Sequence, residues 1–122
     1  ECFREFAKIQ PGPECINETR RLALGFYEFL KLSEGEANEV FVNCLDTPLN
    51  IACAAHLLQQ NCGSTARRTF LTLALKINPA DPECVSGNFR NLKSAFLEYA
   101  NLPEDQQDVY QSVLDALVHR RR

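Results

Sequence analysis

Apolar residues recur along this chain at steps of three and four, and that period governs nearly its whole length. Between Asp81 and Ala100, Val85, Phe89, Leu92, Phe96 and Tyr99 draw one stripe down a helix of 3.6 residues per turn. Asp81 stands as N-cap with Pro82 at the first helical position, and Gly87 weakens that first turn. Pro103-Glu104-Asp105 opens a last helix with acidic charge at its positive end. Its buried face is Val109, Val113, Leu114 and Leu117, and His119 to Arg122 place basic charge at its negative end. Upstream, Glu18 to Leu32 carries Leu22, Phe26, Phe29 and Leu30 on one side, and Glu36 to Leu45 carries Ala37, Val40, Phe41 and Cys44. Thr47-Pro48 starts a further helix, closed at Cys62-Gly63 by a glycine suited to a left-handed C-cap. Ser64 caps the next, whose face is Phe70, Leu73, Ala74 and Ile77 and which stops at Asn78-Pro79. The segment Cys2 to Ile9 has Cys2, Phe3, Phe6 and Ala7 on one side before Pro11-Gly12-Pro13 turns the chain. No stretch alternates with period two. The pattern predicts an all-α fold: a compact, disulfide-stabilised bundle of six to seven short helices without a sheet, as one domain over residues 1–122.

One helix differs from the others. From Leu49 to Leu58 only Asn50 and His56 are polar, so this segment needs neighbours on every side and belongs at the centre. Its alanines, Ala52, Ala54 and Ala55, favour close helix approach, leaving the surrounding Phe and Leu residues to fill the core.

Composition narrows the class. A chain of 122 residues that is 45% hydrophobic can bury one core. Net charge is −3 even with Arg120, Arg121 and Arg122 included, which argues against a partner among nucleic acids or anionic membranes. No apolar run approaches the ~20 residues that cross a bilayer.

Six cysteines, Cys2, Cys15, Cys44, Cys53, Cys62 and Cys84, predict three bridges formed in an oxidising compartment, hence a secreted, extracellular protein. Asn17-Glu18-Thr19 is an acceptor pattern for N-glycosylation at Asn17. An opening at Glu1 and the lack of any Met are what removal of a signal peptide would leave. If short connections make consecutive helices antiparallel, Cys2 and Cys62 share one end of the bundle and pair, leaving Cys15, Cys44, Cys53 and Cys84 for two bridges at the other.

Candidate chemistry is sparse. No Cys-x-x-Cys or paired Cys/His spacing occurs, so neither a metal site nor any cofactor is expected. His56 follows Cys53 by three residues, and this resembles the catalytic histidine of secreted phospholipases A2. That family's calcium-binding aspartate is replaced here by Leu57, and Gly25 and Gly35 are isolated rather than part of a calcium loop. A histidine without an orienting partner or a metal for the oxyanion is expected to be structural, and the protein is not expected to be an enzyme. The doublets Arg20-Arg21 and Arg67-Arg68 and the terminal Arg120 to Arg122 are expected to face solvent.

Two family patterns bear on the reading. Insect odorant-binding proteins share the size and the six cysteines, but their close second and third cysteines have no counterpart here. Gly35, then Glu39-Val40-Phe41, then Cys44, Cys53, Cys62 and Cys84 resemble the order found in secreted helical haemolymph glycoproteins of arthropods, over residues 35–84. That resemblance implies a secreted helical protein. The function expected is a non-enzymatic binding protein, a carrier of a small hydrophobic ligand in a pocket walled by Phe26, Phe29, Phe41, Phe70 and Phe96. The alternative is an extracellular effector that binds another protein through a helix face.

Overall fold

The computed structural model describes residues 13–35, 39–77 and 90–117, and these contain six helices and no strand. They are α1 (Pro13–Glu34), α2 (Glu39–Cys44), α3 (Asp46–Cys62), α4 (Ser64–Ile77), α5 (Arg90–Ala100) and α6 (Glu104–Leu117). The all-α expectation holds. The expected Cys2–Ile9 helix, the start of the helix at Asp81 and the basic end at His119–Arg122 lie outside the described residues.

α1 begins five residues before the expected start at Glu18. Pro13 opens it, where a fixed φ fits the helix and a missing N–H costs nothing, and Glu14 adds an acid to the first turn. Leu22, Phe26 and Leu30 are buried, one turn apart, while Phe29 at the edge of that stripe is 42% exposed. Gly35 ends the helix at φ 81°, its N–H donating to the Lys31 carbonyl at 3.1 Å.

α2 and α3 are separated only by Leu45, which keeps right-handed helical angles (φ −77°, ψ −19°). Its N–H donates to Val42 and its carbonyl accepts from Leu49. Pro48 falls in the first turn of α3, where backbone N–H groups have no helical partner to lose. The chain therefore bends at Leu45 rather than reversing, and α2 with α3 makes one leg.

This corrects the simple up-and-down order. α3 runs antiparallel to α1, as three contacts in register show. Cys15 is bridged to Cys53 with Cα atoms 5.6 Å apart, the Thr19 hydroxyl donates to Asn50 Oδ1 at 3.1 Å, and Leu24 and Tyr27 face Val42 and Asn43 across one groove. Advancing along α1 means retreating along α3 and α2.

α3 is the central helix, packed against α1, α2, α4 and α6. Pro48, Leu49, Ile51, Ala52, Cys53, Ala54, Ala55 and Leu58 are buried along it, so the apolar run is explained by neighbours on several sides. α4 turns a different face inward from the one expected. Ala74 is buried with Phe70, Leu71 and Leu75 against the core, whereas Leu73 is 48% and Ile77 74% exposed. Gly63, between α3 and α4, has φ 98° and ψ 171°, an extended conformation open to glycine, instead of the left-handed helical cap.

α5 ends at Asn101, whose φ of 49° suits an asparagine at a helix C-terminus, and its N–H donates to Leu97. A Lys93–Asp115 ion pair ties α5 to α6. Val109, Tyr110, Val113 and Leu114 of α6 are fully enclosed in the same core as Phe26, Leu49 and Phe96. Gly25 lies where α1 meets Tyr99 of α5, and a Cβ there would overlap the Tyr99 hydroxyl. The Tyr99 ring tip seats against α1 here because position 25 has no side chain.

Candidate binding site

The five phenylalanines expected to wall a pocket separate into distinct settings. Phe26 and Phe96 are wholly buried and meet edge to face, with ring centroids 5.3 Å apart. Phe29 stacks on Phe26 at 6.2 Å, and Tyr99 leans on both at 5.6 and 5.2 Å. These rings fill one another's space; each buried ring contributes about 1.5–3 kcal/mol by leaving water and each ring pair about 0.5–1.5 kcal/mol more. Phe70 sits half-buried on α4 against the core. Phe41 belongs to α2, and its side chain lies outside the described residues.

An open groove of about 190 Å³ lies between α1 and α2, lined by Leu24, Tyr27, Val42 and Asn43. Phe26, Phe29, Phe70 and Phe96 do not line it. Leu24 is 55% exposed on its rim, and Lys31, one turn beyond Tyr27, holds its ammonium 5.5 Å from the centre of the Tyr27 ring. The groove thus combines aliphatic walls, one aromatic face, one amide and a nearby cation. The helical period could not place it, because it forms where α1 crosses the bent α2–α3 leg, and the bend has no breaker residue.

A second group of side chains surrounds the corner between α3 and α4. His56 Nδ1, Gln59 Oε1 and Arg67 Nε are buried, and none has a hydrogen-bond partner among the described residues. Of the doublet expected to face solvent, Arg68 does so, whereas Arg67 is partly buried. Arg20 and Arg21 are exposed, and Arg21 is held by Glu18 through a bond of 2.7 Å that raises its pKa further. Among the described residues no group of three His, Cys, Asp or Glu side chains could hold a metal ion.

The glycosylation pattern falls on α1. Asn17 is exposed, while Thr19 is buried and bonds to Asn50, which in turn donates to the Asp46 carbonyl at 3.1 Å. The threonine of the pattern therefore has a packing role of its own.

Cys15 and Cys53 form one disulfide, and Cys44 and Cys62 are also disulfide-bonded. Cys2 and Cys84, and with them the Cys2–Cys62 expectation, lie outside the described residues. No known family model, curated protein or solved structure matches the chain, so its function is argued from its own residues.

Proposed function

We propose that the chain is a secreted, non-enzymatic binding protein that carries a small hydrophobic molecule in the groove between α1 and α2. The groove itself carries this reading: Leu24, Tyr27 and Val42 offer apolar surface to solvent beside the single amide of Asn43. Its volume of about 190 Å³ suits a compact apolar body or one end of a longer one. Secretion is supported by the oxidised cysteines, which persist in extracellular rather than cytosolic surroundings. The order of Gly35, Glu39-Val40-Phe41 and the cysteines, similar to that of arthropod haemolymph glycoproteins, supports the same compartment.

The test is saturable binding of Nile red to the fully oxidised protein, with displacement by small hydrophobic competitors. Leu24→Glu and Val42→Glu place a charge in the groove and are expected to weaken binding at least tenfold with thermal melting preserved. Equal binding by both variants, or no saturable binding at all, would sink the carrier reading. A second reading, an effector that docks on another protein, is favoured by Leu32 on α1 and Ile77 on α4, which are 88% and 74% exposed. Nile red binding that is absent, together with a protein partner lost on Leu32→Asp, would favour it.

A further inference from the structure

We propose that the corner between α3 and α4 is a binding site for a carboxylate carried on an apolar body. The chain turns there through Gly63 alone. Gly63 N–H donates to the Gln59 carbonyl at 2.9 Å and Arg67 N–H donates to the Gly63 carbonyl at 3.2 Å, so Gln59 and Arg67 flank the turn on its two sides. His56 lies one turn from Gln59 on the same side of α3. Three polar side chains on the two helices of the corner each hold a buried atom without a hydrogen-bond partner among the described residues. Native interiors leave few such atoms unpaired, and a ligand that supplies the missing partners removes their cost.

The charge carried by the two helices that meet at the corner gives the sign of that ligand. From Thr47 to Ala80 the chain contains Arg67, Arg68 and Lys76 and none of its sixteen acidic residues, although the whole chain is at −3. No carboxylate is bonded to Arg67 among the described ion pairs. A partly buried guanidinium with an unpaired Nε is a donor awaiting an anion. His56 Nδ1 donates in one tautomer, and the Gln59 amide, turned over, presents its NH₂ at unchanged shape, so each of the three groups can donate to an acceptor brought to this corner. Arg67 is the one permanent cation of the three, which favours a singly charged carboxylate over a doubly charged phosphate. Arg67 also heads the inward stripe of α4, followed at three, four and seven residues by Phe70, Leu71 and Ala74, all packed against the core. Phe70 and Leu71 are only partly buried, and the apolar edge they leave beside Arg67 suits an acid with a hydrocarbon body. The corner shares no residue with the α1–α2 groove, and the proposal stands independently of it.

The experiment is titration of the oxidised full chain with octanoate, octanol and acetate, followed through the His56 ring and Arg67 Nε–H resonances. Octanoate is expected to move both, acetate to move them only at far higher concentration, and octanol to leave them in place. Arg67→Gln is expected to lower octanoate affinity tenfold or more while melting and Nile red binding in the groove persist. Arg67→Lys, which keeps the charge but lacks the buried Nε donor, is expected to fall between. The proposal is overturned if octanoate moves neither resonance, if octanol matches it, or if Arg67→Gln binds octanoate as the unaltered protein does. Loss of Nile red binding with octanoate binding intact would remove the groove reading and leave this one standing.

Discussion

Tyr110 shows how far a single side chain in this core is tied to its surroundings. It is fully enclosed in α6, and burial pushes its phenol up to about 12, with a Gln106 hydrogen bond opposing the shift. The consequence for stability has a definite sign. Below the ordinary tyrosine value of 10.0 the phenol is neutral in both the folded and unfolded chains. Between about 10 and about 12 the unfolded chain ionises first, the folded chain keeps more protons, and stability falls as pH rises. A difference of this size corresponds to roughly 2–3 kcal/mol. Urea unfolding across that alkaline window should therefore show a declining midpoint that Tyr110→Phe largely abolishes. Parallel declines in the two proteins would mean that the phenol is not the group responsible. Arg67 and His56 show the opposite limit of sequence reading. His56 attracts attention through its distance from Cys53, whereas Gln59 gives no signal and the Arg67-Arg68 doublet looks like ordinary surface. Only the corner at Gly63 separates one arginine of the doublet from the other.

At the scale of elements, the pairing of α1 with the α2–α3 leg rests on a covalent bridge and one buried hydrogen bond, Thr19 to Asn50. Thr19→Val keeps the shape but leaves Asn50 Oδ1 facing a methyl group. It is expected to destabilise the fold by about 1–3 kcal/mol, while Thr19→Ser retains most of the bond. Equal chemical stability of the valine variant and the unaltered protein would show that water replaces the hydroxyl. The helices themselves were legible because each must bury an apolar stripe, and α3 was legible as the centre because it has no polar side to spare. Their directions were not. Cys44-Leu45-Asp46-Thr47-Pro48 reads as the end of one helix and the start of another, and so short a connection suggests a reversal. A first-turn proline is compatible with continued helix, however, so Leu45 bends the chain without turning it back. The inward face of α4 was misread for a related reason. Phe70, Leu73, Ala74 and Ile77 and the observed Phe70, Leu71, Ala74 and Leu75 are both helical stripes, and α3 decides between them by where it lies.

For the molecule as a whole, the reversed direction of α3 gives the remaining disulfides a new physical basis. α3 separates Cys44 from Cys62 by its whole length, about 25 Å at 1.5 Å per residue, far beyond the ~7 Å that a bridge spans between Cα atoms. Cys44 and Cys62 are both bonded, so each must find its partner in Cys2 or Cys84. α1 begins at Pro13, two residues before the Cys15–Cys53 bridge, and because it is antiparallel to α3 that start lies toward the Cys62 end. Cys62 is therefore the expected partner of Cys2, which stands eleven residues before Pro13 in the sequence. α4, joined to α3 by Gly63 and packed along it, carries the chain back toward Cys44, and Cys84 follows seven residues after its last residue, Ile77. The expected pattern is Cys2–Cys62 and Cys44–Cys84 around Cys15–Cys53. The bridge already placed closes 38 residues of separation and should restrict the unfolded chain by about 4 kcal/mol on the loop-entropy model. Non-reducing peptide mapping checks the other two, with one constraint set by the sequence. No lysine or arginine occurs between Lys31 and Arg67, so trypsin leaves Cys44, Cys53 and Cys62 in one fragment. Chymotryptic cleavage after Leu45 or Leu49 and after Leu57 or Leu58 separates them. A fragment joining Cys2 to Cys44 would show that the chain before α1 crosses to the far end of the central helix, and the direction assigned to that segment would have to be reversed.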